Sequence, residues 1–342
     1  MTVRALVVDD SPTMRAIVTS ILSTDDEIEV VGTAGSPHSA RTLIKQLDPD
    51  VVTLDVDMPD MNGLDFLDRI MRLRPMPVVM LSSLTQRGAE TTLRALELGA
   101  FDCLGKPKTG LQKAPGYRDE LVDMVKAAAR SNRRRVAAGR AATSQPADDY
   151  RPRENALIAI GASTGGVEAL IELLAGFPAM CPPTVIVQHM PESFTTTFAA
   201  RLDRLSRPRV SEARHGEALL RGHVYLAPGG LRHMEVAGTG TWRCRLVEGE
   251  RSSGHRPSVD RLFHSVAARA GKAAVAALLT GMGADGAAGL KAMHDAGATT
   301  IGQDRESCVV YGMPAAAHAM GAVTAQLTLS RIAPRLLAEC AA

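Results

Sequence analysis

The sequence has 342 residues, of which 45% are hydrophobic and 22% charged, and its formal net charge at pH 7 is +2. This length allows two domains of ordinary size, and so small a net charge gives no reason to expect nucleic-acid binding. No apolar run approaches the roughly 18 residues that would span a bilayer, and the start MTVRALVVDD lacks a signal-peptide pattern. We therefore expect a cytoplasmic protein without membrane insertion.

The first 125 residues alternate between short apolar runs and helix-like segments. Five of the runs have the length of strands: RALVV, EVVGT, VVTL, PVVML and FDCLG. Segments with helical spacing, such as MRAIVTSIL and ETTLRALELGA, lie between them. This alternation predicts a doubly wound α/β domain, in which helices cover both faces of a five-stranded parallel sheet.

Polar side chains follow four of these predicted strands. In a doubly wound sheet the carboxyl ends of the strands form the site, and the residues found there are Asp9, Asp10, Asp55, Ser82 and Lys106. Clustered carboxylates raise one another's pKa, and a divalent cation such as Mg²⁺ would relieve their repulsion. The lysine and the hydroxyl would supply what a phosphoryl group on one carboxylate needs. The alternative, that each aspartate only caps a helix, accounts poorly for the whole set.

Four motifs of this region resemble the receiver domain of bacterial response regulators. They read VVDDS, LDVDMPDMNGLDFL, VVMLSS and GKP. The resemblance covers residues 1–125 and implies a flavodoxin-like fold that is phosphorylated on Asp55 with Mg²⁺ as the cofactor. It implies that Ser82 is a switch hydroxyl and that Lys106 is the partner of the phosphoryl group. The implied metal ligands are Asp9, Asp10, Asp55 and the main-chain carbonyl of Asp57.

One position departs from the receiver pattern. Cys103 stands three residues before Lys106, where many receivers have an aromatic switch residue. Output coupling through an aromatic rotamer is therefore not expected.

A basic linker is predicted over residues 126–153. Residues 131–153 hold six arginines and two aspartates, without a hydrophobic period and with many Ala, Ser, Pro and Gly residues. Such a segment cannot bury enough apolar surface to fold alone. The arginines could contact RNA, anionic lipid or an acidic partner, but a solvated linker is the preferred interpretation.

From residue 154 to residue 342 strand-like runs and helical patterns alternate again. The runs are ALIAI, TVIVQ, HVYLA, AAVAALL and TTIGQ, and the helical segment GVEALIELLAG follows the first of them. The stretch LRHMEVAGTGTWRCRLV is a candidate antiparallel hairpin. The pattern predicts a second doubly wound, mostly parallel α/β domain that also carries a hairpin.

Three residues that together could perform nucleophilic catalysis follow predicted strands of this domain. Ser163 follows LIAIGA, His189 follows TVIVQ, and Asp285 lies in LLTGMGADG. A serine hydroxyl needs an adjacent base, and a carboxylate can orient a histidine that serves as this base. GASTG also fits Gly-x-Ser-x-Gly, in which small neighbours allow a sharp turn that exposes the hydroxyl. The pentapeptide alone fits a purely structural turn equally well.

Two other interpretations of GASTGG fit the sequence less well than a catalytic or a structural turn does. They are a nucleotide-binding loop and the nucleophile turn of the α/β-hydrolase fold. A Walker loop requires a lysine followed by Ser or Thr, so a nucleotide-binding turn here would be an irregular variant. The α/β-hydrolases have the chain order Ser, Asp, His, whereas these residues run Ser, His, Asp. This difference argues against that fold but not against the chemistry, because triads are defined by geometry.

Further residues stand near these three in the sequence. Backbone N–H groups near Thr164 or Met282 could stabilise an oxyanion. His255 lies in a loop that leads into a helix with Ser258 as a possible cap, and it is a further candidate for lining the site. Five histidines are expected to be surface or satisfied structural residues: His215, His233, His264, His294 and His318.

Six motifs of this half resemble the chemotaxis protein-glutamate methylesterase family, known as CheB. IGASTGG, VQHMP, YLAPGG, HRPSVDRLF, LLTGMGADG and YGMP occur in this order after a receiver domain. The resemblance implies that Ser163, His189 and Asp285 form a catalytic triad that needs no cofactor. It implies hydrolysis of glutamate methyl esters on chemoreceptors to release methanol, together with deamidation of receptor glutamines.

The resemblance also implies how the activity is controlled. An unphosphorylated receiver would cover the catalytic site, and phosphorylation of Asp55 by a chemotaxis histidine kinase would loosen the interface. The expected partners are therefore this kinase and the cytoplasmic domains of chemoreceptors.

The predicted organisation is a receiver at 1–125, a linker at 126–153 and a catalytic domain at 154–342. A different class of function stays open, in which a receiver is joined to a noncatalytic binding module and GASTGG is only a turn. A transcriptional output fits less well, since no helix-turn-helix signature follows the linker.

The five cysteines are expected to be reduced and mostly buried. They are Cys103, Cys181, Cys244, Cys308 and Cys340. They lack the spacing of metal ligands, and their odd number argues against a disulfide framework.

Overall fold

The computed structural model describes residues 2–59, 61–82, 86–106, 116–131, 150–238 and 241–342. The chain divides into two compact units, residues 1–139 and 140–342. No helix within the described ranges is both long enough and apolar enough to cross a membrane.

The first unit is built on a five-stranded sheet. Its strands are β1 (Val3–Val8), β2 (Ile28–Ala34), β3 (Val51–Asp55), β4 (Val78–Ser82) and β5 (Asp102–Gly105). They lie in the order β2-β1-β3-β4-β5, and every pair is parallel. The helices that alternate with them are α1 (Pro12–Leu22), α2 (Pro37–Leu47), α3 (Gly63–Leu73), α4 (Gln86–Glu97) and α5 (Tyr117–Ser131). The predicted five-stranded parallel fold is confirmed for this unit.

Burial explains why these segments form a parallel sheet. Both β3 and β4 are buried at all five of their positions, as strands of a parallel sheet are when helices cover both faces. Their mostly apolar sequences, VVTLD and VVMLS, are therefore typical of central strands rather than of edge strands.

Helix α5 continues past residue 125, which is the predicted end of the receiver. Its residue Ala128 is completely buried, and Lys126 forms an ion pair with Asp25 at 2.8 Å. These contacts belong to the packing of the first unit, so residues 126–131 of α5 are part of that unit. Residues 132–149 of the predicted linker lie outside the described residues, and its extent stays a prediction.

The second unit is built on a seven-stranded sheet within the described part of the chain. Its strands are β6 (Leu157–Ala162), β7 (Thr184–Gln188), β8 (Arg209–Glu212), β9 (His223–Leu226), β12 (Ala274–Leu278), β13 (Thr299–Gln303) and β14 (Ala325–Leu327). They lie in the order β14-β13-β12-β6-β7-β9-β8, and every pair is parallel. Strands β10 (Arg232–Ala237) and β11 (Arg243–Glu248) form a separate antiparallel pair. This arrangement confirms the predicted sheet and hairpin, while residues 239–240, between β10 and β11 in the sequence, lie outside the described residues.

Six helices accompany this sheet in the described ranges. They are α6 (Gly166–Ala175), α7 (Glu192–Leu205), α8 (Val259–Ala270), α9 (Ala287–Asp295), α10 (Met313–Ala319) and α11 (Leu329–Cys340), with a short 3₁₀ turn at Gly271–Ala273. Helix α8 packs on α9, β10 and β6, and α11 packs on α6. Tyr150 and Arg153, in the predicted linker, donate hydrogen bonds to carbonyls of α11, so the second unit begins before residue 154.

Two short strands are missing from the sequence-based prediction. They are β8 and β14, which lie at the two edges of the seven-stranded sheet. Each has at most one buried residue, because an edge strand is covered less than a central one. Their sequences, RVSE and AQL, therefore lack the apolar run that marks the other strands.

The strand orders place the predicted sites at comparable positions in the two units. In the first, β1 lies beside β3, and in the second, β6 lies between β12 and β7. The chain changes direction across the sheet at these strands, and ligands of open α/β sheets bind at the carboxyl ends of strands at such points.

Candidate functional site

Three neighbouring strands of the second unit carry the predicted serine, histidine and aspartate. Ser163 directly follows β6, His189 directly follows β7, and Asp285 lies between β12 and α9. Main-chain hydrogen bonds join these strand ends: Ser163 donates to the carbonyl of Thr280 at 3.0 Å, and His189 donates to that of Ala162 at 3.0 Å. The structure therefore brings all three predicted residues to one edge of one sheet.

The turn that presents Ser163 requires two glycines. Gly165 has a φ of +76°, and a Cβ at this position would lie 2.5 Å from the Cβ of Val309. A Cβ on Gly166, the first residue of α6, would collide with the amide oxygen of Gln188. Because only glycine tolerates both constraints, these residues allow β6 to pass into α6 while Ser163 stays half-buried.

Gln188 is a site residue that the sequence reasoning missed. Its buried Nε2 donates to the main-chain carbonyl of Ser163 at 2.9 Å and to that of His189 at 3.1 Å. It thus links the backbone of the candidate nucleophile to that of the candidate base. The only available signal was its position directly before His189 at the end of an apolar strand.

His189 and Asp285 form a close pair. The distance from His189 Nε2 to Asp285 Oδ2 is 2.8 Å. An ionised carboxylate can only accept, so Nε2 carries a proton, and in the neutral ring Nδ1 then keeps its lone pair. Nδ1 is buried and has no hydrogen-bond partner among the described residues, Ser163 included. Catalytic hydrogen bonds often form only with substrate, and Nδ1 is the nitrogen that could accept a proton from Ser163.

The N-terminus of α8 holds the carboxylate of Asp285. Oδ1 accepts from Ser258 Oγ at 2.8 Å and from the Asp260 N–H at 3.2 Å, and Oδ2 accepts from the Val259 N–H at 2.7 Å. Burial raises the pKa of Asp285, but hydrogen bonds from His189, Ser258 and Val259 outweigh it and leave the pKa below its ordinary value. Asp285 is therefore ionised at neutral pH.

Thr164 directly follows Ser163, and Met282 lies in the loop between β12 and α9 that also carries Asp285. Thr164 is buried, and its carbonyl accepts from Thr280 Oγ1 at 3.0 Å. Met282 follows Gly281, where an added Cβ would lie 2.8 Å from the Cβ of Ser163. The N–H groups of Thr164 and Met282 donate to no main-chain carbonyl among the described residues. Their positions are compatible with an oxyanion site, which stays a prediction.

The histidines divide into structural and site-lining residues. His255 lies against His189, with ring centroids 3.7 Å apart and the planes at 9°. His233 is buried and bonds through both ring nitrogens, to the carbonyl of Glu250 and to the N–H of Ser258. The other four histidines predicted to be surface or structural are exposed: His215, His264, His294 and His318.

A second cluster lies at the carboxyl ends of β1, β3 and β5 in the first unit. Lys106 Nζ is 2.9 Å from Asp9 Oδ2 and 2.7 Å from Asp55 Oδ1. Asp9 and Asp55 are fully buried, whereas Asp10 is exposed. The structure therefore gathers the predicted acidic residues and the predicted lysine into one site.

The charges of this cluster are closely coupled. Burial raises the pKa of Asp55 to about 6, and the neighbouring Asp9 adds to this, while Lys106 opposes it. Burial lowers the pKa of Lys106, but its hydrogen bonds to Asp55 and Asp9 reverse this and leave the pKa raised. The lysine therefore stays charged beside two carboxylates.

The residues present fit a divalent cation. One ligand oxygen each from Asp9, Asp10 and Asp55 lies within 4.8 Å of the others. Asp55 Oδ2 is buried and has no hydrogen-bond partner among the described residues. Oxygen ligands of this kind, on a site that is open on the side of Asp10, are those that Mg²⁺ binds.

The other predicted receiver residues surround this cluster. Asp57 donates its N–H to Asp55 Oδ1 at 3.1 Å, and the use of its carbonyl as a ligand stays a prediction. Ser82 is buried at the end of β4, and its carbonyl accepts from the Lys106 N–H at 2.8 Å. Cys103 lies on β5 and is half-buried, and desolvation raises the pKa of its thiol.

The two units together define a receiver-like domain joined to an α/β domain with a serine, a histidine and an aspartate at one sheet edge. A family model described as CheB methylesterase matches residues 158–336, and one described as the response regulator receiver domain matches residues 5–113. The chain belongs to the CheB methylesterase family, with a receiver domain ahead of the methylesterase domain. The resemblance found in the sequence is confirmed.

Similar proteins extend over nearly the whole chain. A protein of Caulobacter vibrioides named protein-glutamate methylesterase/protein-glutamine glutaminase 1 is 58% identical over 98% of this chain and 97% of its own length. A relative from Agrobacterium fabrum, named protein-glutamate methylesterase/protein-glutamine glutaminase, is 56% identical over 98% of this chain and 95% of its own length. The crystal structure of the Thermotoga maritima CheB methylesterase catalytic domain is 36% identical, with a TM-score of 0.52, and the match covers 54% of this chain and 97% of that one.

Proposed function

We propose that this protein is a phosphorylation-activated hydrolase that removes methyl groups from glutamate methyl esters of chemoreceptors and thereby supports chemotactic adaptation. The observation that carries the proposal is the hydrogen bond between His189 and a buried, ionised Asp285 beside the turn of Ser163. The names of the similar proteins support the choice of a glutamyl ester as the substrate.

The first half-reaction forms an acyl-serine. Ser163 Oγ attacks the ester carbonyl carbon while His189 Nδ1 takes its proton, and Asp285 stabilises the resulting imidazolium. Backbone N–H groups near Thr164 or Met282 hold the oxyanion. The bond from the carbonyl carbon to the methoxy oxygen then breaks, and His189 gives its proton to the departing methanol.

The second half-reaction frees the receptor, now with a glutamate carboxylate, from Ser163. Water attacks the acyl carbon as His189 Nδ1 takes one of its protons, and the proton returns to Ser163 Oγ when the carbon–Oγ bond breaks. The same steps on a glutamine side chain would release ammonia in place of methanol. We therefore propose deamidation of receptor glutamines as a second reaction, in agreement with the second activity in the names of the relatives.

The receiver supplies control. We infer that a chemotaxis histidine kinase is the phosphodonor for Asp55, and that phosphorylation raises the activity of the methylesterase domain. Asp9, Asp10, Asp55 and the carbonyl of Asp57 would hold Mg²⁺, which neutralises charge on the phosphoryl oxygens. Lys106 provides a second positive charge at the same carboxylate.

Methanol release from methylated receptor membranes tests the hydrolase function. Wild type should release methanol, and Ser163→Ala should reduce the rate by more than about 10³-fold, because the nucleophile is lost. Ser206→Ala is a matched control, since Ser206 Oγ bonds to the Leu202 carbonyl at the far end of α7. Equal activity of Ser163→Ala and wild type would refute the serine mechanism, and no release from either would favour a noncatalytic binding module.

A further inference from the structure

The imidazole of His255 covers one face of the candidate base. Its ring centroid lies 3.7 Å from that of His189, and the two planes differ by 9°. This stacking uses neither nitrogen of His189, because Nε2 binds Asp285 and Nδ1 faces no partner among the described residues. His255 can therefore restrain the ring of His189 without competing for its proton.

The backbone of His255 is fixed, but its nitrogens are not engaged. His255 and Ser252 exchange two main-chain hydrogen bonds of 2.9 and 3.0 Å, and the chain then enters α8, whose N-terminus binds Asp285. No described residue bonds to either ring nitrogen of His255, in contrast to His233, which is bonded at both. The ring of His255 is thus placed for contact with His189 rather than for a structural hydrogen bond.

The surroundings keep this ring neutral. Burial lowers the pKa of His255 to about 4, a positive charge on protonated His189 and the charge of Arg251 lower it as well, and Asp285 opposes them. At neutral pH, His189 therefore has an uncharged aromatic face beside it. Such a ring adds no repulsion, whereas a protonated ring at the same distance would repel the imidazolium that forms during catalysis.

We propose that His255 is a positioning residue for the reaction: its neutral ring fixes the plane of His189, so that Nδ1 stays available to Ser163 while Nε2 remains on Asp285. The inference rests on the proposed function. It assigns no proton transfer to His255, and it predicts that an aromatic ring is needed at this position but its nitrogens are not.

Two substitutions separate the ring from its nitrogens. His255→Phe keeps a stacking ring, and His255→Gln keeps polarity without a ring, while His264→Gln on the exposed side of α8 serves as the surface control. We expect His255→Gln to lower kcat for methanol release about tenfold, which corresponds to ~1.4 kcal/mol, with little change in KM. His255→Phe should stay within about threefold of wild type.

A second readout reports on Ser163 without receptor binding. The rate at which a fluorophosphonate labels Ser163 should fall in His255→Gln by the same factor as kcat and be restored in His255→Phe. A purely structural role would lower the thermal midpoint or the active fraction but leave the labelling rate of the folded fraction unchanged.

The outcomes are distinct from those that test the hydrolase itself. Wild type must first release methanol faster than Ser163→Ala does. If the two rates are equal, the proposed function fails before the His255 variants are compared. If it does, the inference is overturned when His255→Phe is as slow as His255→Gln, when His255→Gln matches wild type, or when only KM changes. Should His255→Gln not fold, a folded but inactive His255→Phe would still overturn it.

Discussion

Asp285 is the residue whose surroundings say most about the chemistry of the site. Three donors at the start of α8 and the ring of His189 converge on its two oxygens. Its carboxylate is satisfied in the ionised form only, because each of these groups donates a hydrogen bond. In an asparagine at this position, the NH₂ group would face N–H or O–H groups that also donate, so some of these donors would lack an acceptor.

Asp285→Asn should therefore abolish most of the hydrolysis. The amide NH₂ cannot accept from His189 Nε2–H, so the substitution favours the wrong tautomer and places the proton on Nδ1. We expect kcat for methanol release to fall by about 10³-fold or more, while KM for methylated receptor membranes changes little. A variant that retains more than a tenth of the wild-type kcat would contradict the assigned role.

The same residue makes the stability of the methylesterase domain depend on pH. Its pKa is lowered in the folded state from about 3.9 when unfolded, so the ionised carboxylate stabilises the fold above pH ~4, and this contribution is lost as the pH falls through the folded-state pKa. The gap in unfolding free energy between wild type and Asp285→Asn should be largest at pH 7 and should narrow below pH ~4. Urea unfolding across this range measures it, and a gap that is independent of pH would count against an ionised Asp285.

At the scale of the element, the turn between β6 and α6 shows how much a short motif can specify. The motif predicts a sharp turn, and the structure gives the reason: Gly165 has a positive φ and lies against Val309. These two effects can be separated, because Gly216 in the same domain has a φ of +79° with nothing within 4 Å of an added Cβ.

Gly165→Ala should consequently destabilise the domain more than Gly216→Ala. Both carry the cost of a left-handed alanine, roughly 1–2 kcal/mol, but only Gly165→Ala also overpacks against Val309, which typically costs a further ~1–3 kcal/mol. Gly165→Ala should also lower methanol release, since the turn that presents Ser163 has to move. Urea unfolding of the two variants provides the comparison. Equal decreases in the free energy of unfolding would mean that Val309 moves aside without a cost.

The contrast between GASTGG and Gln188 shows where prediction from sequence ends. A turn is a local property, so its glycines predict it from a few neighbouring letters. Gln188 acts through contacts with the main chain of Ser163, 25 positions away in the sequence, and a single glutamine at a strand end carries no signal of such a contact. Likewise, Ser258 is recognisable as a helix cap, but its hydrogen bond to Asp285 depends on how α8 packs.

At the scale of the whole molecule, the strand and helix alternation predicts both folds because parallel strands are apolar along their full length. The edge strands β8 and β14 were not predicted, because exposed strands do not need to be apolar and these two lack an apolar run. The candidate residues at strand ends could be found from the same logic, because parallel sheets gather their carboxyl ends at one edge. The stacking of His255 on His189 could not, as it depends on a loop that no periodic pattern describes.

The thiols give a test that involves the whole chain. All five cysteines are free; four are buried, and burial raises the pKa of Cys181, Cys244, Cys308 and Cys340 to about 12. The native protein should thus react only slowly with iodoacetamide at pH 8, because thiolates are scarce and shielded, and all five should react after unfolding in urea. Rapid native labelling of more than one thiol, counted by mass spectrometry, would contradict this packing.

We propose that phosphorylation of Asp55 controls the hydrolysis carried out by Ser163. A shift of ~1.4 kcal/mol between inactive and active states changes a small active fraction tenfold, so a modest coupling between the domains suffices. Stimulation of hydrolysis should then depend on the carboxylate of Asp55 and not on the surface charge of the receiver in general.

The ratio of methanol release with and without a small phosphodonor and Mg²⁺ measures this control. It should be compared for wild type, Asp55→Asn and the control Asp68→Asn, which removes a partly exposed charge paired with Arg72. We predict stimulation of wild type and Asp68→Asn, and a ratio of one for Asp55→Asn. Equal stimulation of Asp55→Asn and wild type would contradict the account.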